Sequence, residues 1–362
     1  MKLYILFFHT PRNTWNTNLS LNCNYRSKIE VKSKSTKSKD REYIVLHIET
    51  NTNNMIRSIK WRQLFNIRQL SLLPSSSRRL SSFAKHAEKY ETISVSVDEE
   101  GVAKILMNRP DKMNAMNWRM WKELKESFEV VNKDPSVRCI ILGSTSNHFS
   151  TGMDLSVFAE MVQSHHKEKC PGRAREKLEN TIDFFQSTCT GAEACNVPVI
   201  CAIDGNAIGG AVDLLTACCL RYCTKQANFS VKEIDLAIVA DVGTLQRLPN
   251  IVGEQRTREL AYTGRHFNGE EAMNLGLVLN CFDTSDEMMN AVETLALEIA
   301  KKSPLTMRNI KRNIKYSREH TTEDSLEHVR MMNSSILFSE DLEKVMGTMM
   351  SKGDISKVTF RD

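Results

Sequence analysis

The stretch of sequence that decides the fold is Asp204-Gly205-Asn206-Ala207-Ile208-Gly209-Gly210-Ala211-Val212-Asp213-Leu214. A short apolar segment, residues 198–203, precedes it and predicts a buried strand. Gly209 and Gly210 then open a predicted helix that runs to Cys219. Paired glycines at a helix start expose backbone N–H groups at the positive end of the helix dipole, which suits a developing oxyanion. Tight packing of a strand on a helix explains the pair at least as well when it is taken alone.

The segments on either side of this stretch continue the alternation of strands and helices. The clearest predicted elements are a hairpin of strands over residues 92–97 and 102–107, a helix over 114–132, a buried strand over 139–142, and C-terminal helices over 292–300, 307–317 and 326–337. This order predicts a layered α/β domain. No low-complexity linker interrupts residues 90–362, so we predict that they form one domain.

The composition fits a globular protein with a sizeable core. The chain has 362 residues, of which 41% are hydrophobic. No uninterrupted apolar run reaches the ~18 residues that a membrane span needs, so no span is predicted. The ten cysteines are scattered, and no pair of C-x-x-C motifs offers a zinc site. We therefore predict reduced thiols in an intracellular compartment and no metal site.

The basic charge of the chain is confined to its N-terminal part. Residues 1–90 hold 17 Lys/Arg and 5 Asp/Glu, whereas residues 91–362 hold 32 Lys/Arg and 39 Asp/Glu. A protein that binds nucleic acid tracks the phosphates with a basic surface. The acidic body therefore argues against nucleic acid as a partner.

The N-terminal part reads as two segments that precede the domain. Residues 1–54 are rich in Asn, Lys, Ser and Thr and predict a disordered extension, and Met55 is hypothesised to be the native start. Residues 55–87 carry seven Lys/Arg, seven Ser and no Asp or Glu, and their apolar residues can share one helix face. These features are typical of a mitochondrial transit peptide and predict a location in the mitochondrial matrix, with a generic disordered basic tail as the alternative. The C-terminal residues 359–362 do not form an S-K-L type of peroxisomal address.

Three carboxylates stand in notable positions, and each has a structural alternative. Asp213 lies inside an apolar run, where an unpaired carboxylate is strongly destabilising; the alternative is a solvated or salt-bridged place on the helix. Glu233 follows a strand-like stretch, and its alternative is a surface ion pair with Lys232 or Arg221. Asp241 precedes a predicted helix, so its alternative is an N-cap.

Four co-linear segments, taken together, resemble the crotonase (enoyl-CoA hydratase/isomerase) superfamily across residues 90–362. They are Asn108-Arg109-Pro110 with Asn114-Ala115-Met116, then Phe149 to Leu155, then Gly209 to Asp213, then Thr244-Leu245-Gln246-Arg247-Leu248-Pro249. These match the family's N-R-P…N-A-hydrophobe opening, its F-x-x-G-x-D-hydrophobe loop, its G-G-G-hydrophobe-acid helix start and its T-x-R-L-P helix. The last match carries one extra residue. Ala211 and Ala237 stand where the family usually has glycine.

The resemblance implies a role for each matching position. The backbone N–H groups of Met153 and Gly210 would form an oxyanion hole for a thioester carbonyl. The loop that lines the acyl-CoA site would consist of Thr151, Gly152, Met153, Asp154 and Leu155. The family's two acid positions, twenty residues apart, fall on Asp213 and Glu233, and Asp241 adds a third acid eight residues further on. Lys112 is a candidate for contact with the CoA phosphates.

This set of three acids resembles the branch of the family that isomerises dienoyl thioesters. The resemblance implies conversion of a 3,5-dienoyl-CoA into a 2,4-dienoyl-CoA during β-oxidation of unsaturated fatty acids. Glu233 would remove the proton at C2, Asp241 would protonate C6, and Asp213 would tune the pair electrostatically. A redox-neutral proton shift needs no metal or cofactor beyond the CoA of the substrate. Three alternatives stay open: an enoyl-CoA hydratase, a crotonase-like RNA-binding protein and a catalytically inactive scaffold.

The resemblance also implies an architecture and an assembly. The expected fold is a ClpP/crotonase-like spiral of β-β-α repeats over residues 88–285. A helical region of the same domain, residues 286–362, would follow it and mediate homotrimers that often pair into homohexamers.

Overall fold

A computed structural model describes residues 89–361 in full and, before them, the backbone of three strands. These are β1 (Lys2–His9), β2 (Glu30–Ser38) and β3 (Arg41–Glu49), which form an antiparallel sheet in the order β1-β3-β2. They lie in a separate unit, Met1–Leu73, and all three fall within residues 1–54, for which the sequence predicts a disordered extension. The predicted transit peptide lies outside the described residues.

The strands of the body form two sheets. In chain order they are β4 (Ile93–Val97), β5 (Val102–Met107), β6 (Cys139–Ser144), β7 (Val199–Ile203), β8 (Asn206–Ile208), β9 (Leu220–Thr224), β10 (Asn228–Ser230), β11 (Phe267–Asn268) and β12 (Asn280–Phe282). Six of them build one sheet in the order β12-β9-β7-β6-β5-β4, and three build a small sheet in the order β11-β10-β8. The predicted hairpin is confirmed as the antiparallel pair β4 and β5, and the other neighbours in the large sheet are parallel.

Helices cover both faces of the large sheet. They are α1 (Trp118–Lys133), α2 (Leu155–Lys167), α3 (Pro171–Ala194), α4 (Gly210–Thr216), α5 (Thr244–Val252), α6 (Glu254–Thr263), α7 (Gly269–Leu275), α8 (Ser285–Ala300), α9 (Pro304–Glu319), α10 (Thr322–Ile336) and α11 (Glu340–Met350). The predicted α/β architecture, with strands and helices in alternation and helices at the C-terminus, is confirmed.

Strand β6 contributes side chains to two hydrophobic cores, one on each face of the large sheet. Ile140 and Leu142 point into the main core, while Cys139 and Ile141 point to the opposite face, since side chains alternate along a strand. That opposite face packs on α8 through Met288, Val292 and Ala296. Burial on both faces is the reason why the parallel strands read as short, almost continuous apolar runs.

The first helix begins later than its periodicity predicts. The apolar spacing predicts a helix from residue 114, yet α1 starts at Trp118 with Asn117 as its N-cap. Asn114 has a left-handed backbone (φ 53°) and a fully buried side chain. Its Nδ2 donates to the carbonyl of His148 at 2.7 Å, and its Oδ1 accepts from the N–H of Arg109 at 2.7 Å. These tertiary bonds hold residues 114–117 as a loop.

The C-terminal helices are attached to the body by cations. Lys311 on α9 donates to the carbonyls of Ala192 (3.1 Å) and Val197 (2.9 Å), where α3 ends. Such a cation suits the negative end of a helix dipole.

Helices α10 and α11 contain no buried residue, although several of their apolar side chains are large. In the described part of the chain, no helix combines the length and hydropathy that crossing a bilayer requires.

Candidate active site

The turn between β8 and α4 presents one backbone donor. Gly209 has a φ of 53°, which favours glycine, and its own N–H donates to the carbonyl of Ser230 at 2.9 Å. Gly210 is the first residue of α4, so its N–H has no partner within the helix. None of the residues that the structure describes accepts from it. This donor is therefore free for an oxygen atom outside the chain.

A second donor lies on the loop between β6 and α2. Met153 forms an isolated parallel bridge with Met116, in which Met116 bonds to Gly152 and to Asp154. That pattern turns the N–H of Met153 away from Met116, and no acceptor for it exists within residues 89–361. The structure thus leaves the N–H groups of both predicted oxyanion-hole residues unused.

Gly152 lets this loop approach the Gly209-Gly210 turn. Its φ is 87°, and an added Cβ would stand 2.5 Å from the carbonyl oxygen of Ile208 and 3.4 Å from the nitrogen of Gly210. Only glycine fits such a close backbone approach. The two loops that carry the free donors are therefore in direct contact.

The other residues of the predicted acyl-CoA loop hold its shape. Asp154 is the N-cap of α2 and forms an ion pair with Arg109 at 3.0 Å. Burial alone would raise the pKa of Asp154, but hydrogen bonds from Ser156 and Arg109 hold that pKa below its usual value. Thr151 donates its N–H to the carbonyl of Met113 at 3.1 Å, and Leu155 is 74% exposed.

Two buried polar residues support this loop, and sequence reasoning gave them no role. The hydroxyl of Ser150 donates to the carbonyl of Asn114 at 2.7 Å and accepts from the N–H of Gly152 at 3.1 Å. Asn114 ties the loop to the N-R-P segment through the bonds described above. The signal for Asn114 was its place in the motif, whereas a serine between Phe149 and Thr151 carries no signal of its own.

Glu233 lies beside the glycine turn. It sits on a short 3₁₀ helix, Lys232–Leu236, which Ala237 closes in a left-handed conformation (φ 57°). A Cβ added to Gly209 would lie 3.3 Å from Oε1 of Glu233. Oε2 is buried and has no hydrogen-bond partner among the described residues. Burial, followed by the charge of Asp213, raises the pKa of Glu233 to about 7.

The predicted alternative for Glu233, a surface ion pair, is wrong. Lys232 pairs with Asp235 at 2.5 Å instead. Arg221 donates to the carbonyls of Leu277 and Cys218, both at 2.7 Å. Both cations are thus engaged elsewhere, and the Glu233 carboxyl is left for other chemistry.

Asp213 is buried on α4 and joins two helices. It is 1% exposed, and its Oδ1 accepts a hydrogen bond from the N–H of Thr244 at 2.6 Å. Burial raises its pKa to about 6, and the charge of Asp241 acts in the same direction while the Thr244 hydrogen bond and Arg247 oppose the rise. The alternative of a solvated carboxylate is therefore wrong for Asp213.

Asp241 lies on the turn before α5 and is exposed. It is not an N-cap, because α5 begins after Gly243 and Asp213 takes the N–H of Thr244. The carbonyl of Asp241 accepts a 2.7 Å bond from Nε2 of Gln186, which fixes its backbone. Partial burial of the carboxyl raises the pKa of Asp241.

The arrangement combines two chemical capacities. Three carboxyl groups with raised pKa values act on one another, and the pKa of Glu233, about 7, lets the cluster supply an acid and a base together near neutral pH. Beside them, two free backbone donors can stabilise negative charge on an oxygen. Within residues 89–361, no three His, Cys, Asp or Glu side chains are grouped so that they could hold a metal ion.

Comparison with known proteins gives a consistent result. A family model described as enoyl-CoA hydratase/isomerase matches residues 98–356. The mitochondrial Delta(3,5)-Delta(2,4)-dienoyl-CoA isomerase of Mus musculus is 38% identical over 320 residues, which covers 85% of this chain and 97% of the mouse protein. The peroxisomal Delta(3,5)-Delta(2,4)-dienoyl-CoA isomerase of Arabidopsis thaliana is 40% identical over 267 residues, or 73% of this chain and 96% of that protein.

Solved structures agree on the fold. The crystal structure of enoyl-CoA hydratase from Bacillus anthracis superposes with a TM-score of 0.66 at 26% identity. It covers 73% of this chain and 97% of the bacterial one. An enoyl-CoA hydratase from Shewanella pealeana gives a TM-score of 0.67 at 19% identity, covers 75% of this chain and 97% of the other, and supports the fold alone.

Proposed function

The chain belongs to the enoyl-CoA hydratase/isomerase family, and from that premise we propose that it isomerises a 3,5-dienoyl-CoA to a 2,4-dienoyl-CoA. The observation that carries the proposal is the Glu233 carboxyl beside a glycine turn with a free donor: its pKa is about 7, and its buried Oε2 has no partner among the described residues. Two further carboxyls lie within its field. The relatives that bear the name of this isomerase support the same reaction.

The first step would be proton removal next to the thioester. A C2 proton is acidic only when the resulting enolate is stabilised, and the N–H groups of Met153 and Gly210 would bind its oxygen. Each such donor is worth roughly 3–4 kcal/mol of the barrier. Glu233 would act as the base, since a general base is most effective when its pKa lies near the working pH, and the pKa of Glu233 is about 7.

The second step would deliver a proton four carbons away. The dienolate spreads its charge along the conjugated chain to C6, where Asp241 would donate a proton. An acid separate from the base is needed because C2 and C6 lie apart along the acyl chain. Asp213 would tune the proton exchange of Glu233 and Asp241, because its charge raises the pKa of Glu233. No oxidant or reductant takes part, so no cofactor beyond the CoA of the substrate is proposed.

An absorbance assay of the purified protein with a 3,5-dienoyl-CoA tests this proposal. A signal from the conjugated 2,4-dienoyl product should rise, and both Glu233→Gln and Asp241→Asn should abolish it. Asp235→Asn is the matched control, because Asp235 shares the 3₁₀ helix but pairs with Lys232. Hydration of a 2-enoyl-CoA without any isomerisation would contradict the proposal and favour a hydratase. Salt-sensitive RNA binding in place of catalysis would favour the RNA-binding alternative.

The proposal extends to assembly and location. Helices α9, α10 and α11 expose large apolar side chains, which suits burial against further copies of the chain in a homotrimer or homohexamer. They include Ile310, Ile314, Leu326, Met331, Met346 and Met349. We expect light scattering to give three or six times the monomer mass, and Ile314→Glu to lower it. We also propose a location in the mitochondrial matrix. The names of the mammalian relatives support a mitochondrial location, while a plant relative is named as peroxisomal.

A further inference from the structure

We propose that Arg247 is a positioning residue, clamped by α3, which holds the turn Asp241–Thr244 in place for proton transfer. The inference deepens the proposed function, on which it rests. Arg247 belongs to the T-x-R-L-P segment, and the chemistry described above gives it no part. Its contacts are with α3 and with Gly243, so it would act through the turn that carries Asp241.

Residues on one face of α3 form hydrogen bonds at both ends of this turn, with Asp241 and with Arg247. Gln186, Thr190 and Glu193 are spaced four and three residues apart, which places them on one side of a helix. Gln186 bonds to the carbonyl of Asp241 at 2.7 Å. At the other end, Nη2 of Arg247 donates to the hydroxyl of Thr190 at 2.9 Å, and its Nε donates to Glu193 at 3.2 Å.

The guanidinium of Arg247 also packs against the turn itself. Its Nη1 is buried and has no hydrogen-bond partner in the described part of the chain. It lies so close to Gly243 that any Cβ at that position would collide with it. Gly243 has a φ of 134° and precedes Thr244, whose N–H bonds to Asp213. Arg247 thus packs against Gly243. Gly243 lies between Asp241 and Thr244, whose N–H bonds to Asp213.

Glu193 also connects Arg247 to the C-terminal helices. Its second oxygen binds Arg318 of α9, and its side chain is only 14% exposed. Charge-assisted hydrogen bonds are stronger than neutral ones, so two arginine partners fix the position of this half-buried carboxylate. Although burial acts in the opposite direction, the two arginines keep the pKa of Glu193 below its usual value. Glu193 is therefore a fixed, ionised anchor for Arg247.

Charge gives Arg247 a second measurable effect. Its positive charge lowers the pKa of Asp213, which also responds to Asp241 and to the N–H of Thr244. Asp213 in turn acts on Glu233 and on the buried thiol of Cys189. Loss of the cation should raise the macroscopic pKa values of the carboxyl cluster, so both limbs of a bell-shaped kcat profile should move to higher pH.

The test compares Arg247→Lys, Arg247→Gln and the control Arg318→Gln, which removes the other partner of Glu193. Both Arg247 variants should lower kcat with little change in KM, and a loss of roughly 10- to 100-fold is typical when a reacting group is misplaced. Arg247→Lys should keep the pH limbs of the wild type, and Arg247→Gln should move them upward. Arg318→Gln should leave kcat within about two-fold, because Arg247 keeps its own bonds to Thr190 and Glu193 in this variant.

Amide hydrogen exchange supplies a readout that does not depend on activity. Both Arg247 variants should speed exchange at Gly243 and Thr244, while Arg318→Gln should not. Unchanged exchange in the turn, together with kcat within two-fold of the wild type, would overturn the inference. A wild-type protein without isomerase activity contradicts the proposed function instead, and the exchange experiment still decides whether Arg247 holds the turn.

Discussion

Oδ1 of the buried Asp213 accepts a 2.6 Å hydrogen bond from the backbone N–H of Thr244. The bond joins α4, which starts at the glycine turn, to α5, which follows Asp241. It also serves as the cap of α5, because Gly243 has no side chain that could accept from the first turn. The Asp213 carboxylate therefore links the glycine turn to the turn that carries Asp241, the proposed acid.

The first prediction concerns the charge of Asp213. In Asp213→Asn the amide oxygen can still accept from Thr244, so the fold should persist while the negative charge is lost. Because that charge raises the pKa of Glu233, both limbs of the kcat profile should move to lower pH. The pH dependence of isomerisation measures the shift. Limbs that stay in place would show that Asp213 does not act on the base.

The second prediction links Glu233 to stability. Between its ordinary value of 4.5 and its raised pKa of about 7, Glu233 binds more protons in the folded state than in the unfolded state. The free energy of unfolding should therefore fall as pH rises through this window. Glu233→Gln should remove that loss and gain on the order of 1–3 kcal/mol at pH 8, with little gain at pH 4.

Urea denaturation at the two pH values measures this difference. Asp235→Asn, on the same 3₁₀ helix, is the control and should not reproduce the pH-dependent gain. Equal stabilisation by Glu233→Gln at both pH values would mean that packing, rather than titration, is responsible.

The third prediction concerns the contact of Gly152 with the glycine turn. Gly152→Ala places a Cβ 2.5 Å from the carbonyl oxygen of Ile208, so the loop with Met153 must move. Because two donors must converge on one oxygen, kcat should fall by roughly 100-fold, as for the loss of one oxyanion donor. The matched control is Gly347→Ala on α11, where an added Cβ meets nothing within 4 Å. Retained kcat in Gly152→Ala would contradict a role of this contact in catalysis.

The fourth prediction concerns backbone strain next to Glu233. Ala237 is exposed and adopts a φ of 57°, a conformation that disfavours a Cβ. Ala237→Gly should raise the free energy of unfolding by about 0.5–1 kcal/mol without changing kcat. Lys352, with a φ of 54°, provides an independent comparison, and Lys352→Gly should be stabilising as well. Thermal denaturation measures both, and a lower midpoint in Ala237→Gly would contradict the strain.

The N-terminal boundary of α1 shows why part of the fold escapes sequence reasoning. The period of the apolar residues is continuous from residue 114, so no local signal separates the loop from the helix. The boundary depends on Asn114, whose amide bonds to Arg109 and His148. His148 lies 34 residues further along the chain, and a partner at that distance can be identified only in the folded structure.

The alternatives for the three acids show the same limit within the site. An N-cap was the natural local interpretation of Asp241, yet Asp213 accepts from Thr244, 31 residues away in the chain. Lys232 is next to Glu233 in sequence but bonds to Asp235. Which of two adjacent partners an ionised side chain takes is decided by direction and burial, and neither can be read from spacing.

The sequence by itself determined the alternation of strands and helices on either side of the glycine turn, the helical C-terminus, the positions of the three acids and the two glycine-containing loops. These follow from periodicity and from residue types at fixed spacing, which are local properties of a chain. Only the tertiary structure decided that Met153 and Gly210 keep unused donors within residues 89–361, that Oε2 of Glu233 is buried without a partner there, and that Arg247 is clamped by α3. Those properties depend on which groups are withdrawn from water and which reach one another, and burial and direction arise only when the chain is folded.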